Sequence, residues 1–187
     1  MPPKVKISKE QIVNAAISLV RSGGAATVNA RTLAAALDCS TQPIFSNFDS
    51  MESLEQAVIE MAEQYFESFC QTIIQSDRYP QYKAYGIAYI AFATKEKHLF
   101  SLLYMRDRSG ESTSEKSRLF TDMSQIVQGQ LGMEENRADI FHLEIWAVVH
   151  GIACMIVTGF WMPDEELISK MVSDVYFGLK KRFEEKE

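Results

Sequence analysis

The sequence has few of the residues on which metal and catalytic chemistry most often depends. It contains three histidines and three cysteines, and Cys39, Cys70 and Cys154 stand far apart with no CxxC pair. An odd, scattered set excludes a disulfide framework and offers no zinc-ligand spacing, so we expect three buried thiols. No glycine-rich phosphate loop or nucleophile with a matching base is seen. We therefore predict no catalytic residue, no metal and no cofactor, and we do not expect an enzyme.

An apolar leader is also missing. The chain begins Met-Pro-Pro-Lys-Val-Lys and soon becomes amphipathic, so we expect a cytoplasmic protein. Residues 145–162 form an uncharged stretch of eighteen residues, which is long enough to be weighed as a membrane span. His150, Gly151, Thr158 and Gly159 interrupt this stretch, and no cluster of basic residues flanks it. We interpret it as a helix buried on every side, between the chain's own core and a partner subunit, and we expect no membrane contact.

Charge is divided unevenly along the chain. The net charge is −6, but residues 1–50 carry five basic and three acidic side chains, against fourteen basic and 22 acidic side chains in the remainder. A basic first segment on an acidic body favours docking of nucleic acid in one orientation.

Helical periodicity runs from end to end, with no alternation typical of a strand. It predicts an all-α fold of nine helices. The predicted helices cover residues 8–21, a short segment after Asn29, 41–47, 49–74, 79–94, 97–105, 114–131, 134–160 and 164–183. Residues 106–112 are expected to form an exposed loop.

The first three helices have recognisable ends. Ser8 and Gln11 fit a capping box, and Gly23-Gly24 ends the first helix. Asn29 is expected to cap the second helix and Ser40 the third, with Pro43 tolerated in the first turn of the third. Two short helices separated by three or four residues have the spacing of a helix-turn-helix.

The segment NARTLAAALDCSTQPIFSNFDSMESL, residues 29–54, resembles the DNA-binding signature of the TetR family. Further on, the run from Trp146 to Gly151 resembles a Trp-His-Gly motif in the C-terminal half of one TetR subgroup. Asp38, Phe45, Asn47 and Met51 depart from the signature, which commonly has Gly, Tyr, His or Tyr, and Lys at these positions. The resemblance implies an N-terminal three-helix DNA-binding domain, residues 1–50, and a helical ligand-binding and dimerisation domain, residues 51–187.

Short polar side chains at the start of a recognition helix reach base edges without forcing the backbone out of the groove. Gln42 suits an adenine edge, and the methyl group of Thr41 or the ring of Pro43 suits a thymine methyl. Arg31 and the lysine-rich tail are the expected phosphate contacts, although a solvated terminus fits the tail equally well. The predicted contacts to double-stranded operator DNA are Lys6, Asn29, Arg31, Ser40, Thr41, Gln42, Pro43, Phe45, Ser46 and Asn47.

The later helices are rich in aromatic and sulfur-containing residues, as a site for a lipophilic small molecule requires. At helical spacing such residues also build ordinary cores, and His150 fits a core histidine nearly as well as a polar ligand contact. The candidate effector residues are Tyr85, Tyr89, Phe92, Phe100, Tyr104, Met123, Trp146 and His150. The resemblance implies a homodimer through the last two helices, with Met155, Phe160, Leu167, Ile168, Met171, Val172, Val175 and Leu179 at the interface.

Together these features predict a ligand-responsive DNA-binding regulator, a repressor that a small lipophilic molecule releases from its operator. The alternative is a helical small-molecule-binding protein in which DNA binding is weakened or lost, as the departures at Phe45 and Met51 would allow. Binding to DNA with a strong salt dependence distinguishes the two.

Overall fold

The computed structural model describes residues 7–107 and 118–185, which form nine α-helices and one short 3-10 turn, without a strand among them. The helices are α1 (Lys9–Gly23), α2 (Ala30–Ala36), α3 (Gln42–Asn47), α4 (Met51–Ile74), α5 (Gln81–Lys95), α6 (Lys97–Tyr104), α7 (Arg118–Leu131), α8 (Glu135–Val157) and α9 (Glu165–Glu184). The 3-10 turn, Ala25–Thr27, lies between α1 and α2. The all-α prediction is confirmed. The first residues of the helix predicted from 114, and most of the loop predicted at 106–112, lie outside the described residues.

Two compact units divide the chain. The described part of the first unit comprises residues 7–68 and 96–106, and that of the second comprises 69–95, 107 and 118–185. Helix α4 contributes its first eighteen residues to the first unit and its last six to the second. The functional division expected after residue 50 stays a prediction.

The ends of α1 follow the sequence closely. The Ser8 hydroxyl accepts from the Gln11 amide at 3.2 Å, and the Gln11 side chain accepts from the Ser8 amide at 2.9 Å, which completes the expected capping box. At the other end Gly24 adopts φ +84°, a conformation open to glycine because it lacks a Cβ atom. Gly23 is needed for space, since a Cβ atom there would lie 2.6 Å from the Cγ2 atom of Thr27.

A polar network joins α1 to α4 and α6 in the first unit. The Arg21 guanidinium donates two hydrogen bonds to the Glu96 carboxylate, at 2.9 and 3.0 Å, and it lies 4.2 Å from the ring centre of Tyr65. The Tyr65 hydroxyl donates to the same carboxylate at 3.1 Å. Bidentate geometry and a shared acceptor make this network more specific than a single surface ion pair.

Helices α5 and α8 form the centre of the second unit. Ala84, Ala88 and Ile152 are almost fully buried, as is Phe141. A Cβ atom at Gly86 would be 3.5 Å from Val149, an ordinary van der Waals distance, so α5 and α8 lie close together here. The core of this unit therefore depends on small residues of α5 that lie against branched and aromatic residues of α8.

In the single chain α8 buries one face and exposes another, so the expected burial of the uncharged stretch against a partner subunit stays a prediction. Ile140 is 52% exposed, Leu143 49% and Trp146 38%, so one face of α8 reaches solvent in the single chain. Phe160 follows the helix at 80% exposure, because α8 ends at Val157 and not at residue 160. Helix α8 is long and apolar enough to cross a membrane by length and composition alone, and part of it is buried within the unit.

Two smaller expectations also need correction. Ser40 does not cap α3: the helix begins at Gln42, Thr41 is its N-cap, and no side chain bonds the cap amides. Of the three thiols only that of Cys70 is buried, whereas Cys39, in the turn between α2 and α3, and Cys154, in α8, are partly exposed. Pro43 does lie in the first turn of α3, as expected.

Candidate nucleic-acid interface and effector cluster

Helices α2 and α3 are held in place by backbone capping and a short turn. The Asn29 side chain accepts from the amides of Arg31 and Thr32 at 3.0 and 3.1 Å, which starts α2 as predicted. The turn that follows contains Asp38 at φ +48°, a left-handed conformation that is unusual for a residue other than glycine. The TetR signature commonly has glycine at this position. The strain therefore arises because this chain has an aspartate there.

The third helix has one buried and one exposed side. Ile44 is fully buried and Phe48 is 5% exposed, and these two side chains anchor α3 to the first unit. Gln42 and Ser46 face solvent, and the Phe45 ring is 51% exposed. An aromatic ring beside polar groups on an accessible helix face gives a surface with both hydrogen-bonding and apolar contact capacity.

Several of the predicted contacts already have a structural role. The Asn47 amide group donates to the carbonyl oxygens of Pro43 at 2.7 Å and Ile7 at 3.3 Å, and the Ser46 hydroxyl donates to the Gln42 carbonyl oxygen at 2.9 Å. Asn29 is occupied as a cap. These side chains position the helices more than they offer free groups to DNA.

Arg31 and Gln42 are different. Within residues 7–107 and 118–185, the Arg31 guanidinium and the Gln42 side-chain amide have no hydrogen-bond or ion-pair partner, and both residues are exposed. Ser40 is exposed too, whereas Thr41 and Pro43 are partly buried at the start of α3. Lys6 lies outside the described residues.

In the second unit, four side chains form what we call the His150 cluster: Tyr89, Trp146, His150 and Cys154. The Tyr89 hydroxyl is hydrogen-bonded to Nδ1 of His150 at 2.9 Å, and the Cys154 sulfur lies 3.3 Å from Nε2. The Trp146 ring stacks on the imidazole with centres 4.9 Å apart. Burial lowers the pKa of His150 and raises the pKa of the Cys154 thiol, so both groups are neutral at neutral pH.

A second tyrosine–histidine pair lies on the same two helices. The Tyr82 hydroxyl is hydrogen-bonded to Nδ1 of His142 at 2.9 Å, and the Phe120 ring packs 4.7 Å from the imidazole. Burial lowers the pKa of His142 to about 4, against the attraction of Asp139, and raises the pKa of Tyr82. The sequence analysis missed this pair. The two tyrosines are seven residues apart in α5 and the two histidines are eight residues apart in α8, so both pairs connect the same two helices.

The remaining candidate effector residues are dispersed. Phe92 is fully buried against Phe69, with ring centres 5.5 Å apart, and Met123 is 5% exposed in α7. Tyr85 is partly buried, and its hydroxyl accepts from the Gln71 amide at 3.5 Å. Phe100 and Tyr104, whose rings are 5.1 Å apart, belong to the first unit. No group of three His, Cys, Asp or Glu residues able to hold a metal ion occurs among the described residues.

The residues predicted at the dimer interface differ in burial. Ile168 and Val172 are buried in the chain's own core, and Leu167 and Phe160 are exposed. Met155, Met171, Val175 and Leu179 are partly buried. The sequence analysis did not include the exposed apolar residues Ile140, Leu143 and Phe177.

Comparison with known proteins gives the context of this arrangement. The model of the tetracyclin repressor-like C-terminal domain matches residues 82–175. No curated protein matches the sequence. Among solved structures, a protein of unknown function from Rhodococcus sp. RHA1 is 18% identical, with a TM-score of 0.73 over 96% of this chain and 100% of that chain.

Two further structures share the fold. A TetR-family member from Streptomyces coelicolor A3 is 17% identical, with a TM-score of 0.60 over 90% of this chain and 98% of that chain. The multidrug-binding protein EbrR, complexed with imidazole, is 17% identical, with a TM-score of 0.56 over 89% of this chain and 93% of that chain. Since the matched domain model spans half of the sequence and the fold agrees along the chain, the protein belongs to the TetR family of ligand-responsive transcriptional regulators.

Proposed function

We propose that the protein is a homodimeric repressor that binds operator DNA through α3 of each subunit and is released by a small lipophilic molecule. The observation that carries the proposal is a pair of exposed side chains without partners among the described residues: Arg31 on α2 and Gln42 on α3, the helix that Ile44 and Phe48 anchor to the first unit. A surface of this kind is suited to a partner that supplies both phosphates and base edges.

Each free group on this surface has a chemical counterpart in the major groove. The Gln42 amide matches the donor and acceptor pattern of adenine, and the exposed Phe45 ring suits a thymine methyl group or a sugar. The Arg31 guanidinium, on the preceding helix, would contact phosphate. Asn29, which caps α2, and Ser46, which is bonded within α3, would hold the helices in position without contacting base edges.

A second subunit would cover the apolar faces of α8 and α9. Leu143 and Phe177 are 49% and 64% exposed, which is a large exposed apolar surface for a protein that stays monomeric in water. Gly151 and Gly178 would have open space around an added Cβ atom, so another helix can approach closely at these positions. A twofold dimer would place the two α3 helices about 34–36 Å apart, one turn of DNA.

We place the effector at the His150 cluster. Its neutral imidazole and tyrosine hydroxyl are polar groups within an aromatic surround, which favours a mostly apolar ligand with one hydrogen-bonding group. The multidrug-binding relative EbrR was crystallised with imidazole, a small aromatic molecule. Because α4 contributes residues to both units, its displacement would carry ligand binding to the DNA-binding helices.

Titration of the purified protein with the DNA flanking its own gene tests the proposal. We expect binding that weakens steeply with salt, with about 0.9 lost from the log-log slope for each phosphate contact removed. The Arg31→Ala variant should flatten that slope, and a lipophilic effector should release the complex. Salt-independent or undetectable DNA binding, with retained ligand binding, would instead identify a helical small-molecule carrier. As a DNA-binding regulator the protein would act in the cytoplasm.

A further inference from the structure

We propose that the first unit contains a ligand site of its own: a cavity between α1, the 3-10 turn, α4 and α6 that binds a small aromatic ammonium ion. The site shares no residue with the His150 cluster, and its occupation does not depend on the protein binding DNA.

The cavity is small, mostly apolar in its lining and partly open to solvent. Its volume is about 150 Å³, and its lining consists of Val20, Ala25, Val28, Met51, Leu54, Glu55, Val58 and Leu102. Leu54 is fully buried, and Val20, Val58 and Leu102 are at most 4% exposed, so the floor belongs to the packed core of the unit. A cavity of about 150 Å³ in another protein admits benzene, so a single aromatic ring matches this volume.

A carboxylate stands at the open side of this cavity. Glu55 is the one ionisable residue of the lining, and it is exposed. Within the described part of the chain, this carboxylate has no hydrogen-bond or ion-pair partner. A ligand that carries an ammonium group next to its ring would fill the cavity and pair with Glu55, whereas a carboxylate ligand would be repelled.

Met51 stands one helical turn before Glu55 and offers its carboxylate no positive charge. The TetR signature commonly has lysine at this position, one helical turn before Glu55, where an ammonium group would lie within reach of the carboxylate. Met51 is instead partly buried and lines the cavity. Its unbranched thioether side chain adapts readily to an occupant. The same substitution therefore supplies an apolar wall and no positive charge beside the acidic group.

Binding can be measured on the full-length protein with 13C-labelled methyl groups of valine and leucine. We expect benzylamine to shift the methyl signals of Val20, Leu54, Val58 and Leu102 in a saturable way. Benzyl alcohol, which has the same ring and no charge, should shift the same signals with an affinity about two- to fivefold lower, as for the loss of one exposed ion pair.

Two substitutions and a matched control locate the site. Glu55→Gln should lower the affinity for benzylamine about two- to fivefold and leave that for benzyl alcohol unchanged, while Glu60→Gln, an exposed change elsewhere on α4, should alter neither. Ala25→Leu, at an exposed wall position, should weaken both ligands by filling the cavity. The proposal is overturned if the four methyl signals show no saturable shift. It is equally overturned if Glu55→Gln and Glu60→Gln bind benzylamine alike, or if Ala25→Leu binds both ligands as the parent does.

Discussion

The first compact unit exposes polar groups without partners, and the second exposes apolar side chains. On α2 and α3, Arg31 and Gln42 reach solvent with hydrogen-bonding groups that have no partner in the part of the chain the structure describes. On α8 and α9, Leu143 and Phe177 reach solvent with no polar atoms to offer. Water can hydrogen-bond to the polar groups of the first surface. Covering the second surface with another apolar surface lowers the free energy, because apolar area is removed from water. The difference assigns nucleic-acid recognition to one unit and self-association to the other in our proposal.

The largest effect is expected from charging the apolar faces. Leu143→Glu together with Phe177→Glu would place unpaired charges in the proposed interface, a cost of about 3–5 kcal/mol. We expect a monomer by light scattering, with native helical content because both positions are exposed in the single chain. Phe45→Glu, an exposed aromatic change in the first unit, should leave the dimer intact. A double variant that stays dimeric would contradict the assignment.

Acid should weaken the second unit through His142. Its pKa is 6.5 in an unfolded chain and about 4 in the folded one. Between these values the unfolded chain binds more protons, so lowering the pH favours unfolding. Relative to His142→Gln, we expect the free energy of unfolding to fall by about 3 kcal/mol from pH 6.5 to 4, with the difference in slope vanishing above about pH 7.5.

Urea denaturation of both proteins across this pH range measures the effect. Parallel stability curves for the parent and His142→Gln would show that burial beside Tyr82 does not prevent protonation of His142 in the folded protein.

Two glycines of the second unit have open space around an added Cβ atom, and substituting each of them compares a proposed interface position with a control position. A Cβ atom at Gly151 of α8 or Gly129 of α7 would meet no atom within 4 Å. Gly151→Leu should weaken the dimer by about 1–3 kcal/mol through overpacking against the partner. Gly129→Leu should leave it unchanged, as measured by analytical ultracentrifugation. Equal dissociation constants would remove Gly151 from the interface.

The polar surface of the first unit should respond in two distinct ways. Gln42→Ala should cost about 1–3 kcal/mol of discrimination between operator and random DNA, because a base contact is lost. Arg31→Ala should weaken binding to both and flatten the salt slope, because a phosphate contact carries little sequence information. Fluorescence anisotropy at several salt concentrations separates these outcomes, and equal losses on both DNAs for Gln42→Ala would exclude it from base readout.

The smallest effect concerns the turn between α2 and α3. Asp38 has φ +48°, a conformation that disfavours a Cβ atom. We expect Asp38→Ala to lower the free energy of unfolding by about 1 kcal/mol and Asp38→Gly to leave it unchanged or raise it. Thermal unfolding checks this. A loss as large in the glycine variant as in the alanine variant would show that the aspartate side chain, and not the backbone, stabilises the turn.

Local sequence rules predicted the helices well because their causes are local. Ser8 with Gln11 forms the predicted capping box, and Asn29 caps α2 as predicted, in both cases through residues at most three apart. Ser40 failed as a cap because Pro43 and the turn place the helix start one residue later than expected. The beginning of a short helix is decided by packing as much as by its first polar residue.

Sequence could not predict the tyrosine–histidine pairs or the exposed face of α8. Tyr82 and His142 are 60 residues apart, and their pairing depends on how α5 and α8 pack. The sequence of an apolar helix likewise does not indicate which of its sides packs against the chain's own core. Ile140 and Leu143 became recognisable as surface residues only once that packing was known.

The measurement that tests the central claim most directly is selection of bound duplexes from a random DNA pool by the purified protein. A homodimer reading DNA through α3 predicts an enriched inverted repeat, with half-site centres about 10 base pairs apart, bound by two chains per duplex. The Leu143→Glu/Phe177→Glu variant should fail to enrich it, and Gln42→Ala should enrich it less than the parent does. An unenriched pool, or a single site without twofold repetition bound by one chain, would contradict the account.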